Sequence, residues 1–136
     1  MENKYFYLSL SIIQVFVALG AIPVGFLMIL KPDGSSLGMP LELLSQSPFP
    51  NFLIPGLFLF TINGLCNLAG AVLSFKKHKH SSKIGILLGL ILTMWISIQV
   101  YFITLNSFLQ PLFFIIGLVE ALIAFVLLRK EEFIEK

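Results

Sequence analysis

Long apolar runs separated by short polar breaks dominate the 136-residue chain. Four of them, at approximately 5–30, 52–75, 84–106 and 112–128, are long enough to cross a bilayer as helices. Such a crossing takes about 20 apolar residues, because hydrocarbon offers no water to the backbone and the helix must pair its own N–H and C=O groups. The pattern therefore predicts an all-α integral membrane protein: a single four-transmembrane-helix domain, 1–136, with a short interfacial or re-entrant helix in an outer loop. Small residues at Ala18–Ala21 give the first run some likeness to a signal peptide. Its apolar character continues to Leu30 and few basic residues precede it, so it is read as an uncleaved span.

Each run carries a stripe of small or polar residues at helical spacing, the pattern by which helices pack closely in lipid. The first has Ser11, Gln14, Ala18, Ala21 and Gly25; the second Gly56, Phe60, Asn63, Asn67, Gly70 and Ser74. The third has Gly85, Gly89, Thr93 and Ser97, and the fourth Gly117, Ala121 and Ala124 beside Glu120. The GILLG step in the third suits close packing either within the chain or between two copies. Pro23 removes one hydrogen bond from the first helix, which predicts a kink.

Between the first two runs lies PDGSSLGMPLELLSQSPFPNFLIPG, which holds five of the seven prolines. PDG is a turn signal, Pro40 can open a short helix as its first residue, and Glu42 suits that helix's positive end. Leu41 and Leu44 are expected on one face, and Pro48 and Pro50 end the helix. Such a piece is too short to span. It predicts a cap, residues 31–51, with Phe49 and Phe52 at the membrane interface.

Composition strengthens this reading: 57% of residues are hydrophobic and 12% charged, and the mean hydropathy is +0.97. Lys4, Lys76, Lys77, Lys79, Lys83, Arg129, Lys130 and Lys136 fall on one side of the four spans, leaving Lys31 on the other. The positive-inside rule places both termini in the cytoplasm and the cap outside. The net charge of +2 reflects these anchors and gives no argument for nucleic acid. Cys66 is the sole cysteine, which excludes paired-thiol chemistry, and its position suggests a small core residue. His78 and His80 supply two imidazoles, too few for a metal site. No cofactor is called for.

Candidate chemistry reduces to polar groups at membrane depth, where an ionisable side chain is costly and so marks a functional candidate. Glu120 lies about 12 Å below the outer end of the fourth span and Gln99 roughly 10 Å deep in the third, counted at ~1.5 Å per residue. Those depths predict an outer polar layer of Gln99 and Glu120, with Asn63 near it, and an inner layer of Gln14 and Asn67. Trp95 and Tyr101 flank Gln99 and could form an aromatic wall. A plainer reading has Glu120 protonated and hydrogen-bonded to Gln99 to fix helix register. Asp33 and Glu42 join the candidate binding residues Glu120, Gln99, Asn63 and Trp95 only if the cap folds inward.

The runs PDGSSLGMPLELL, SPFPNFLIPGLFLF, WISIQ, SFLQP and FFIIGLVEA resemble a group of small four-span bacterial membrane proteins that share a PDGSxLGMP outer-loop motif. The similarity spans nearly the whole chain, and PDGS with LGMP is its most specific part. It implies a topology and a bacterial cytoplasmic membrane, and it supplies no catalytic residue. Three functional readings stand. The first is a binding, accessory or regulatory module for a membrane lipid, a small amphiphile or a partner's transmembrane helix. The second is an enzyme acting on a lipid or isoprenoid, with Glu120 as acid or base. The third is a proton-coupled transporter of small amphiphiles, a homo-oligomer working as a dimer through the glycine stripe.

Overall fold

The computed structural model describes residues 2–103 and 109–135, and these form helices and turns with no strand. Helix α1 is Glu2–Leu30 and α2 is Leu53–Phe75; α3 is Ser81–Ile103 and α4 is Leu109–Glu135. All four are long and apolar enough to cross a membrane. Asn106, expected to close the third span, and Ser107, expected to open the turn after it, lie outside the described residues. Pro111, expected in that turn, is instead inside α4. At its other end α4 continues through RKEEF, whose Arg, Lys and Glu favour helix wherever water reaches the backbone.

The small-residue stripes set the packing. A methyl built on Gly89 would stand 2.6 Å from Ala121 N and 2.7 Å from Gly117 O, while one on Gly85 would stand 2.8 Å from Ala124 Cβ. Backbones of α3 and α4 therefore touch, and GILLG is used within the chain. Likewise a methyl on Gly25 would meet Phe60 N at 2.6 Å, and one on Gly56 would meet Met28 Cβ at 2.6 Å, which holds α1 against α2. Thr93 and Ser97 bond back to Gly89 O and Thr93 O, each at 2.9 Å, and Ser97 is exposed. Their hydroxyls thus bond along α3 rather than across to a neighbour. The third stripe leaves the bundle at its last member.

Three apolar clusters run along the bundle. Tyr7, Leu10, Ala124 and Leu127 fill the end that holds both termini; Val17, Leu92, Trp95 and Ile96 fill the middle; Met28, Leu44 and Phe52 fill the cap end. Outside, residues such as Ile12, Leu19, Leu87 and Leu122 are exposed, as expected where the solvent is lipid.

Helix α2 is α-helical over Leu53–Phe58, a π-helix over Leu59–Leu65 and α-helical again over Cys66–Phe75. The wider π-turn brings Asn63 and Gly64 inward together. It leaves Cys66 exposed on the outer face. The expected core role of Cys66 is thus corrected. Its position follows from the buried Asn63–Asn67 edge beside it, which turns Cys66 away from the interior.

The cap comprises two 3-10 turns, Ser35–Leu37 and Leu41–Leu44, with Pro40 preceding the second in extended conformation. Phe52 N donates to Pro32 O at 2.8 Å and Met39 N to Gly34 O at 2.9 Å, so the segment closes on itself. Gly34 has φ +80, and a Cβ there would sit 2.2 Å from Met39 O, so only glycine fits. Phe52 is 2% exposed and Phe49 packs beside it, placing both under the cap rather than at the interface. Leu44 turns inward while Leu41 stays exposed, so they do not share a buried face.

At the opposite end a clasp joins three helices. Glu131 of α4 accepts from Tyr7 Oη of α1 and, at 2.8 Å, from Ser82 Oγ of α3. Lys130 Nζ lies 5.4 Å from the centre of the Phe6 ring. Glu131→Ala should lower unfolding stability by about 2 kcal/mol, because two largely buried hydroxyls lose a charged acceptor. Denaturant titration in detergent checks this against Arg129→Ala, an exposed neighbour expected to change little.

Candidate functional site

Two separate features carry chemistry. The first is a sealed polar cluster. Gln14 of α1 accepts at Oε1 from Ser74 Oγ of α2 at 2.9 Å, and Asn67 Nδ2 donates to Asn63 O at 2.9 Å. Ser11 Oγ donates to Ala71 O at 2.8 Å, fixing α1 against the same face of α2. Gly70, between Asn67 and Ser74 on that face, lets the Gln14 amide approach to 3.0 Å from where a Cβ would stand. The Gln14 amide reaches toward the Glu120 carboxyl on α4. Gln14 Nε2 and both Glu120 oxygens nevertheless complete no bond of good geometry, and Asn67 Oδ1 and both side-chain polar atoms of Asn63 also lack partners within the protein. Gln14, Asn63, Asn67 and Glu120 are each 0% exposed.

Glu120 belongs to this cluster and not to a layer with Gln99. The Gly89 Cβ position lies 2.6 Å from Ala121 N, so Glu120 sits at the level of Gly89. Gln99 is ten residues further along α3, about 15 Å toward the cap. Depth counted from sequence set the two side by side by taking the facing helix ends as level, and α4 starts at Leu109, three residues before the expected Leu112. The register-fixing bond between Glu120 and Gln99 is excluded by the same distance.

The second feature is a pair of cavities nearer the cap. One, of about 70 Å³, lies beneath the cap between Met39, Phe49, Phe52, Trp95 and Gln99. The other is a groove of about 330 Å³ open to the side of the bundle, bounded by Gly20 and Val24 of α1, Leu92 and Ile96 of α3, and Leu109 and Phe113 of α4. Leu59 and Gln99 line both, so the groove and the cap cavity share a wall. The groove's polar side chains are the amides of Gln99 and Gln110. Gln110 is 5% exposed. The pattern SFLQP predicts a turn and so gives Gln110 no role, whereas Gln110 is inside α4.

Trp95 faces the cap cavity and stacks on Phe58 with ring centres 4.6 Å apart. Tyr101 is 80% exposed and packs edge-on to Phe102, so it is no part of that wall. Asp33 and Glu42 are exposed and line neither cavity. Asp33 accepts from Ser35 N at 2.9 Å, and this bond above all holds its carboxyl below the usual carboxylate range. The exposed imidazoles of His78 and His80 lie with ring centres 5.4 Å apart. Among the described residues no group of three His, Cys, Asp or Glu side chains converges.

The groove can accommodate an apolar chain, and its two amides can both donate to and accept from a carboxyl, ester or hydroxyl head. No family model matches this chain, and neither a curated protein nor a solved structure does.

Proposed function

We propose that this chain is a small membrane-embedded binding module, accessory or regulatory in role, that holds a single-chain lipid or amphiphile. The apolar chain lies in the groove between α1, α3 and α4, and the polar head meets Gln99 and Gln110 near the cap. The observation that carries this reading is the lateral groove itself, apolar along its length and amide-bearing. Its volume of about 330 Å³ falls at the low end of small-ligand sites, typically ~300–1,000 Å³.

Catalysis on a lipid and proton-coupled transport both asked Glu120 to meet the ligand. Glu120 lines neither the groove nor the cap cavity, and the glycine stripe assigned to a transporter's dimer contact is occupied by α4. The resemblance and the crowding of basic residues at the terminal end support a bacterial cytoplasmic membrane with termini inside and the cap outside. In a Cys66→Ser background, a cysteine at Ser36 should then react with an impermeant thiol reagent on intact cells, and one at Lys79 should not.

Native mass spectrometry of the purified protein tests the binding reading. A retained single-chain lipid at one per chain is expected. A bare protein across mild detergents, or one carrying only a co-purified polypeptide, would remove it.

A further inference from the structure

We infer that the ligand of the groove is an uncharged single-chain lipid with a small oxygen-bearing head, an ester, amide or alcohol, and that Trp95 binds this head together with Gln99. The inference rests on the binding reading above and names the class of ligand which that reading leaves open.

The tail cannot choose the ligand. An apolar chain in the groove has left one hydrocarbon medium for another, so no hydrophobic gain separates one single-chain lipid from the next. Selection falls to the head. Among the described residues, no Lys, Arg, His, Asp or Glu lines the groove or the cap cavity. The charged residues at the cap end, Lys31, Asp33 and Glu42, are exposed and line neither, and the segment 104–108 carries no ionisable side chain. A phosphate, carboxylate or ammonium head drawn in beside Gln99 would lose water with no opposite charge to replace it, at a cost far above that of an uncharged head.

Trp95 and Gln99 supply what an uncharged head needs. They stand four residues apart on α3, which makes them neighbours on one face of the helix, and both line the cap cavity. Trp95 is 8% exposed, and its Nε1–H has no acceptor within the protein. Such a buried donor is costly, and an oxygen carried in by the ligand removes that cost. Ser47 also lines the cavity but is already engaged: its Oγ donates to Leu44 O at 2.9 Å and accepts from Phe49 N at 3.2 Å. Gln99 lines the groove as well, so a head bonded to its amide stands at the boundary of the two spaces with its tail in the groove.

Size narrows the head further. The cap cavity holds about 70 Å³, roughly half of the ~150 Å³ that encloses a benzene ring. A carbonyl or hydroxyl group fits there; a sugar or a phosphocholine does not.

Native mass spectrometry of the full chain in a sugar-headed detergent tests the inference, with added compounds of one chain length: a primary amide, a methyl ester, an alcohol, a carboxylate, a phosphocholine and the plain alkane. The pH is set at about 9, well above the pKa of a carboxylic acid, so that amide and carboxylate match in shape and differ in charge. The amide, ester and alcohol should each be retained at least tenfold better than the other three. Gln99→Leu should reduce amide retention at least tenfold, and Trp95→Phe, which keeps the ring and loses the N–H, at least threefold. Both variants should still unfold cooperatively and retain the alkane as the wild type does, which a merely structural role for either residue would not predict. Carboxylate or phosphocholine retained as well as the amide, or an amide preference that survives in both variants, would overturn the inference while leaving the binding reading in place. Retention of none of the six would remove the binding reading itself, and the inference with it.

Discussion

Gly89→Leu is expected to cost the protein about 3 kcal/mol of stability, the upper end of ordinary overpacking penalties. The added side chain begins 2.6 Å from Ala121 N and 2.7 Å from Gly117 O, and both obstacles are backbone. No rotamer relieves a clash that starts at Cβ, so α3 and α4 must separate along the pair. The nearby Leu87 is 59% exposed to the bilayer side, and Leu87→Ala should change stability little. Unfolding of both variants by a denaturing detergent measures the difference. Parity between them would show that α3 and α4 do not meet at this glycine.

Gly20→Leu is expected to spare stability and remove ligand binding. Gly20 borders the groove, and a Cβ there would approach only the tip of the Phe113 ring, at 3.1 Å. That ring can give way, and replacing a helical glycine recovers propensity, so the net change should stay within about 1 kcal/mol. The leucine then occupies space that the apolar chain needs. Lipid retention in native mass spectra should fall at least tenfold, equivalent to about 1.4 kcal/mol of affinity. Unaltered retention would place the lipid elsewhere.

How far the sequence foretold these features depends on the range over which each is decided. Spans were legible because crossing hydrocarbon imposes a local length and composition on the chain. The stripes on α1 and α2 were legible for the same reason: Ser11, Gln14, Ala18, Ala21 and Gly25 are all buried, as are Gly56, Asn63, Asn67, Gly70 and Ser74. Relative depth was not. Glu120 and Gln99 pair only when depth is counted from helix ends assumed level, and the packing of Gly89 on Ala121 sets them nearly three turns apart.

Partnerships between helices were hidden for a related reason. Gln14 meets Ser74 across 60 residues and Tyr7 meets Glu131 across 124, and no local pattern announces either contact. Glu131 carries no mark in the sequence beyond its place beside the basic anchors Arg129 and Lys130. In the cap, helix-like spacing suggested a shared face for Leu41 and Leu44, but the Gly34 turn and the Phe52–Pro32 bond fix an approach that buries only Leu44. Irregular backbone is specified by its closures, which residue periodicity does not encode.

The central claim is that an apolar chain enters the lateral groove beside Gln99. Trp95 is the chain's single tryptophan and faces the cavity that shares Leu59 and Gln99 with the groove, so its fluorescence is a built-in reporter. Titration with a single-chain amphiphile brominated along its tail should quench Trp95 saturably, with reversal by the unbrominated compound and loss of the saturable phase in Gly20→Leu. Quenching that grows without saturation and is identical in the two proteins would contradict the claim.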